Sequence, residues 1–288
     1  MNYKYIKSNS EFSSYLNIFE DKKSSIIALD TEDELNLHAY GETLCLVQIF
    51  DGVDSVLVDP LKIDNELLKA FFENRNILKV IYDAASDLSL MKNAYGIEIL
   101  SILDLRPAVA LLNLEKQDLH SVIASELGVL LENKAKFQKH NWTKRPISEE
   151  AIDYAISDVK YLLKLKDVLL KKLSEKQLMD IYILNNLKIQ NKDYTRNPDD
   201  KYARINGYQR LRVEEKLVAQ EVSKIIEKYA SLYNIPSYWV INKNDIVGIV
   251  KNPECLDRMR LPNRFSEDSR QNMLSELKVA SRRKKGTN

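Results

Sequence analysis

Cysteine is the scarcest chemistry here: Cys45 and Cys255, far apart in the chain, are the two thiols of 288 residues. That usage excludes a disulfide scaffold, and no Cys/His spacing suggests a zinc site. Cys45 stands in an apolar run and reads as a small buried hydrophobe. Glycine and proline are equally sparse, seven of each, which excludes low-complexity sequence and long flexible linkers. No apolar run approaches the roughly 20 residues of a membrane helix, so no membrane partner is expected. Met1-Asn2-Tyr3-Lys4-Tyr5 lacks the apolar core of a signal peptide. Together with the free thiols, this predicts a protein of the reducing cytoplasm. Hydrophobic residues at 44% and charged residues at 30% suffice for one large or two ordinary globular domains.

The net charge of +1 conceals two unlike halves. Residues 196–288 hold 19 Lys/Arg against 12 Asp/Glu, whereas residues 1–195 hold 24 against 30. An acidic half joined to a basic one suits catalytic carboxylates in the first and a polyanion-gripping surface in the second.

The order of elements supports that division. A short helix over 10–21 feeds an apolar strand at 25–30. Strands at 44–50 and 54–59, separated by the Asp51-Gly52 turn, continue it as an antiparallel meander. A helix around Leu67–Phe72, a strand from Ile77 to Tyr82, a helix opening at Asp87 and a strand ending at Asp104 follow. This alternation predicts an α/β fold with a mixed sheet covered by helices. Beyond Arg106 the pattern is helical. The polar, basic stretch 132–145 leads to Pro146 and Ser148, which announce a long helix with Glu149 and Glu150 in its first turn. Its apolar stripe is Ile152, Ala155, Ile156, Val159, Leu162 and Leu163. The last third is strand-poor: one helix along Leu211–Tyr229, a short one at Ile246–Val250 capped by Asn244 or Asp245, and a further one after Pro262.

Within this frame, four places bring acids into reach of one another. Ala28-Leu29-Asp30-Thr31-Glu32 reads as a buried strand that ends with two carboxylates on the same side of the chain. Two acids held together at a sheet rim repel unless a cation lies between them, and magnesium or manganese prefers such hard oxygen ligands. Asp87 opens the helix after the fourth strand, where it could equally be an N-cap. Tyr154 and Asp158 are four apart and share a helix face. Asp153, about 100° away from Tyr154, is read as surface.

These residues, taken in order, resemble the ribonuclease D group of the DEDD exonuclease superfamily. The first motif continues into Leu44-Cys45-Leu46-Val47-Gln48-Ile49 and Val58-Asp59-Pro60-Leu61, the second is Ala85-Ser86-Asp87-Leu88, and the third is Tyr154-Ala155-Ile156-Ser157-Asp158-Val159. Trp142-Thr143-Lys144-Arg145-Pro146 precedes the third, and the Tyr four before the last Asp marks the tyrosine-bearing branch. The chain departs from the family at Asp33, where an aromatic is usual, at Tyr82-Asp83-Ala84, and at Asn141. The resemblance implies a ribonuclease-H-like exonuclease domain over 1–175, a linker at 176–200, a small all-α HRDC-like nucleic-acid-binding domain over 201–280 and a basic tail at 281–288. It further implies two divalent ions, Mg2+ or Mn2+. Asp30 would bridge both, Glu32 and Asp158 would hold one, Asp87 would support the other, and Tyr154 would orient water or help take its proton. The expected substrate is RNA with a free 3′ end, cut to nucleoside monophosphates, as in tRNA 3′ maturation. A DNA exonuclease of the same fold and an inactive nucleic-acid-binding module are the competing readings. In the basic half, Arg204, Arg210, Arg212 and Lys216 are the candidate phosphate contacts.

Overall fold

Six strands form one sheet: β1 (Tyr3–Ile6), β2 (Ser25–Leu35), β3 (Glu42–Phe50), β4 (Ser55–Val58), β5 (Ile77–Ile81) and β6 (Ile102–Asp104), in the spatial order β1-β4-β3-β2-β5-β6. The sheet is mixed: β3 and β4 are antiparallel, while β1/β4, β2/β5 and β5/β6 run parallel. These are features of the computed structural model, which describes residues 3–20, 25–131, 134–137 and 139–282. The expected α/β architecture is present, with differences in detail. β1 is a four-residue strand that the sequence pattern is too short to announce. β2 does not end at its carboxylates but runs on to Leu35, so Asp30 and Glu32 lie within the strand.

Alternation along β2 sorts its side chains between two cores. Ile27 and Leu29 face one layer, packed with Phe12 of α1 (Asn9–Glu20) and with Phe71 and Phe72 of α2 (Asn65–Phe72). After β5 come α3 (Ala85–Leu90), α4 (Arg106–Leu111), α5 (Leu119–Leu127) and α6 (Lys134–Phe137). α7 (Glu149–Lys160), α8 (Leu162–Glu175) and α9 (Met179–Asn191) complete this part of the chain. Ala28 faces the opposite layer, with Val109 of α4, Val122 of α5, Val159 of α7 and Leu165 of α8. Both faces are thus covered, which is why the strand reads as an uninterrupted apolar run until its acids begin. Ser148 caps α7, its hydroxyl accepting from the Ala151 amide at 3.3 Å. The single long helix expected from Ser148 through Leu163 is instead two, α7 and α8, which meet at Tyr161.

Chain division differs from the sequence expectation. A linker is expected at 176–200, but α9 occupies that stretch and buries Tyr182 and Asn186. One compact unit comprises Met1–Glu34 and Thr43–Thr195, and the other comprises Leu35–Glu42 with Arg196–Asn288. The exonuclease-like unit therefore extends 20 residues past the expected boundary at 175. The reason lies in α9 itself. Its apolar residues are distributed around the whole helix, so it lacks the one-sided stripe by which a packed helix is read from sequence.

The second unit is helical: α10 (Asp200–Ala203), α11 (Val213–Leu232), α12 (Ser237–Val240), α13 (Lys243–Lys251) and α14 (Glu267–Arg282). Its core gathers Val218, Val222 and Ile226 of α11 with Ile249 of α13 and Met273 and Leu277 of α14. Asn242 caps α13, accepting from the Asn244 amide at 3.0 Å, so Asn244 and Asp245 fall inside its first turn and are not the cap. Residues 35–42, between β2 and β3, belong to this unit through Tyr40, which packs on the helical core and donates its amide to Asn234 Oδ1 at 3.2 Å. Of the expected basic tail, Ser281 and Arg282 lie in α14, and residues 283–288 lie outside the described residues.

Candidate active site

Asp30 and Glu32 share a strand face with Ala28, and Ala28 faces α7 through Val159. That register brings three carboxylates together. One oxygen from each of Asp30, Glu32 and Asp158 lies within 4.8 Å of the other two. Two of the three are predicted by strand alternation, and the third by its helix position four residues after Tyr154.

Asp87 arrives by a different route. β5 runs parallel to β2 with Ala28 opposite Val80, so the turn after β5, and α3 behind it, rise level with Asp30. Asp87 lies in the first turn of α3, where Ala84 holds the cap position, so the N-cap reading does not apply. Its Oδ1 accepts a short hydrogen bond from Thr31 Oγ1, the residue between the two β2 acids. The turn that aims α3 is held by Asp104 at the end of β6. Asp104 Oδ1 accepts from the Asp83 and Arg106 amides, both at 2.9 Å, and Oδ2 accepts from the Ala84 amide at 3.0 Å. Asp104 is itself gripped by α9. Asn186 Oδ1 accepts from its amide at 2.7 Å, and the Tyr182 hydroxyl donates to its carbonyl at 2.9 Å. The helix expected to be a linker is thus two hydrogen bonds from the backbone that aims Asp87.

Tyr154 lies on α7 with its ring stacked on Phe137, centroids 4.9 Å apart at 29°. The phenol lies close enough to Asp158 for that carboxylate's charge to act on it. Burial first, and then the charges of Asp158, Glu32 and Asp30, hold the phenol well above its ordinary pKa, so it is a proton donor at neutral pH. Asp153 is exposed, as the helix geometry predicts. Asp158 itself is only 5% exposed.

A further residue, His120, carries no motif signal. It lies buried in the first turn of α5, behind the Asp118 cap. Its Nε2 is 2.6 Å from Asp158 Oδ1, and because a carboxylate accepts, Nε2–H is the donor. Asp158 is therefore held in place by the His120 donor. A lone histidine among the apolar residues of α5 is the only trace of this in the sequence. Nearby, Tyr82 donates to the Gln117 carbonyl at the entry to α5, so this departure from the family pattern is a structural tie.

The basic stretch before α7 is anchored by Arg145. Its guanidinium takes both oxygens of Asp59, at 2.7 and 2.8 Å, and donates to the carbonyls of Cys45 at 2.6 Å and Trp142 at 2.7 Å. Burial pushes the Asp59 carboxyl up, but the guanidinium outweighs it and holds the group below its ordinary range.

Electrostatically the acids of the cluster repel one another. Asp30 is driven well above its usual range by desolvation, then by Asp158, then by Asp87. Glu32 is raised by burial, then by Asp30 and Asp158. Asp87 is pushed up to about 7, chiefly by burial, with the Thr31 hydrogen bond opposing the rise. Asp33 adds repulsion to all three. Hard oxygens enclosed together, each disfavouring the others' ionisation, fit a divalent cation, which would reverse the sign of every one of these interactions.

A sequence model of the 3′-5′ exonuclease family matches residues 3–174, well over half of the chain. The chain belongs to the 3′-5′ exonuclease family. Among its exonuclease relatives, ribonuclease D of Sphingobium indicum is 34% identical over 155 residues, covering 52% of this chain and 39% of the relative. Ribonuclease D of Desulfotalea psychrophila is 29% identical over 234 residues, covering 78% of this chain and 60% of the relative. This exonuclease thus spans about half the length of the curated relatives it matches. In fold it is similar to Escherichia coli RNase D, described as an exoribonuclease involved in structured RNA processing. That similarity has a TM-score of 0.72 at 23% identity and covers 98% of this chain and 76% of the other. Among the described residues, no helix is long and apolar enough to cross a membrane.

Proposed function

We propose that this chain is a divalent-metal-dependent 3′-to-5′ exoribonuclease, similar to ribonuclease D, that releases nucleoside monophosphates from RNA with a free 3′ end. The observation that carries the reading is the convergence of Asp30, Glu32 and Asp158 within 4.8 Å, with Asp87 tied in through Thr31 and Tyr154 alongside. When bound, two ions, Mg2+ or Mn2+, would polarise the phosphate and lower the pKa of water. Asp30, whose charge is felt by both Glu32 and Tyr154 and which itself feels Asp158 and Asp87, is the carboxylate suited to be shared. Glu32 and Asp158 would hold one ion, and Asp87 would support the other. Tyr154 would orient the attacking water or help take its proton.

The acids argue against the inactive binding module, since a chain that only binds nucleic acid has no use for mutually repelling carboxylates held this close together. Structured-RNA trimming, tRNA 3′ ends included, in the cytoplasm is the role that the resemblance to ribonuclease D supports. Residues 196–282 would serve as an HRDC-like nucleic-acid-binding unit. Of its sequence candidates, Arg204 and Arg210 are exposed. Arg212 lies 3.4 Å from Glu215, and the Lys216 ammonium sits 5.6 Å from the Tyr208 ring centre.

The test is a digestion ladder on 5′-labelled single strands of RNA and matched DNA, with free or blocked 3′ ends. Stepwise shortening of RNA from a free 3′ end, dependent on Mg2+ or Mn2+ and abolished by Asp30→Asn, is the expected result. Faster digestion of DNA, or digestion that survives Asp30→Asn, overturns it.

A further inference from the structure

Two neighbouring aromatics of the helical unit are displayed outward on a fixed support. α12 is a single turn held from beneath by Ile235, Val240 and Ile241, all within the core of that unit. It is also held from the side. The Ser237 amide donates to Asn36 Oδ1 at 3.4 Å, and the Tyr238 hydroxyl donates to the Leu37 carbonyl at 3.0 Å. On this support Tyr238 is 40% and Trp239 48% exposed. An exposed tryptophan by itself is ordinary. What surrounds this one is not. The Arg264 guanidinium lies 6.0 Å from the centre of the Trp239 ring. The segment that delivers Arg264 also carries Arg258 and Arg260, and all three are exposed without a carboxylate partner among the described residues. By contrast, its neighbours Asp257 and Arg270 are paired, with Lys278 and Glu267. Arg260 is four residues from Arg264, at most about 14 Å of extended chain.

A rigid aromatic with half its surface open, a guanidinium stacked beside it and unpaired cations close along the chain are the parts from which single-strand platforms are made. Bases stack on the ring, phosphates meet the arginines, and neither contact reads sequence. We infer that Tyr238, Trp239 and Arg264, with Arg260 and Arg258, form a stacking surface for a single-stranded segment of nucleic acid. This deepens the nucleic-acid reading of the helical unit and rests on it. It also moves the main contact from the start of α11, where Arg212 has a carboxylate nearby, to the α12 turn and the 258–264 segment.

The surface is testable by binding alone, with the full chain in EDTA so that no cleavage intervenes. Trp239 and Trp142 are the two tryptophans, and Trp142 is only 3% exposed, so quenching by direct contact with a bound base reports on Trp239. A 12-nucleotide oligo-U strand is expected to quench that emission, and Trp239→Phe to abolish the quench while keeping most of the affinity. Trp239→Ala should weaken binding by about 5- to 150-fold, the range of one base–aromatic stack. Replacing Arg258, Arg260 and Arg264 together by Ala should flatten the slope of log affinity against log salt by about 2. Thermal melts confirm that each variant is folded. Affinity within twofold of wild type in Trp239→Ala, a quench that persists in Trp239→Phe, an RNA duplex bound as tightly as the single strand, or poly-glutamate competing as well as RNA each overturns the inference. Cleavage is scored separately. Trp239-independent binding in a chain whose exonuclease activity requires Asp30 removes this surface alone, and Trp239-dependent binding without metal-dependent cleavage removes the exoribonuclease reading alone.

Discussion

His120 Nε2 and Asp158 Oδ1 lie 2.6 Å apart, in a pair of side chains that are both more than nine-tenths buried. The bond joins α5 to α7 and occupies one oxygen of a carboxylate that also serves the acid cluster. Such outer contacts orient a ligand and commonly change metal affinity by about 10- to 100-fold when removed. His120→Ala is therefore expected to weaken Mn2+ binding by that factor, measured by calorimetry on the full chain without substrate. His120→Gln, which retains a donor, should recover part of it. Unchanged Mn2+ affinity in His120→Ala would show that α7 alone holds Asp158 in place.

The acid cluster makes the metal-free protein sensitive to pH. Asp87 titrates near 7 in the fold against an ordinary 3.8, and Asp30 and Glu32 are raised as well. An acid whose folded pKa is raised binds more protons folded than unfolded, so its contribution is present below about 3.8 and is lost as pH rises through about 7. Melting temperatures in EDTA should accordingly show this cluster favouring the fold at pH 5 relative to pH 8. Asp30→Asn should remove part of that pH dependence, and saturating Mg2+ should suppress it.

Asp30→Asn should also stabilise the metal-free protein while abolishing activity, because it removes repulsion that exists for function. A rise of a few degrees in Tm in EDTA is expected, together with at least about a 10³-fold loss of kcat. A lower Tm in the variant would mean that the Asp30 carboxylate makes net favourable contacts without metal.

Tyr154→Phe separates the hydroxyl from the ring. The stack on Phe137 remains, so Tm should stay within about 2 °C. Activity should fall by about 10²-fold through kcat. Tyr154→Ala loses both and should melt earlier. Equal activity in Tyr154→Phe and wild type would remove the hydroxyl from the mechanism.

Arg145→Ala leaves Asp59 buried without its fork of donors and should cost about 3 kcal/mol in chemical denaturation. Arg145→Lys cannot reproduce contacts to two carboxylate oxygens and two carbonyls together, and it should recover little.

Local periodicity by itself determined much of this protein. Alternation placed Asp30 and Glu32 on one face, and a four-residue step put Tyr154 beside Asp158. Ser148 announced α7, and the apolar runs marked the sheet strands from β2 to β6. Each of these is a property of a few consecutive residues, which backbone geometry converts directly into a face. Only the tertiary structure decided the rest. His120 has no partner within its own helix; its role exists because α5 and α7 share one face of the sheet. α9 looks like a linker because its apolar residues circle the helix, and the grip of Asn186 and Tyr182 on Asp104 spans some 80 residues. Residues 35–42 join a helical unit whose other members begin at Arg196. Contacts of that length depend on sheet order and on which helix covers which face, and no periodicity within a single segment encodes either.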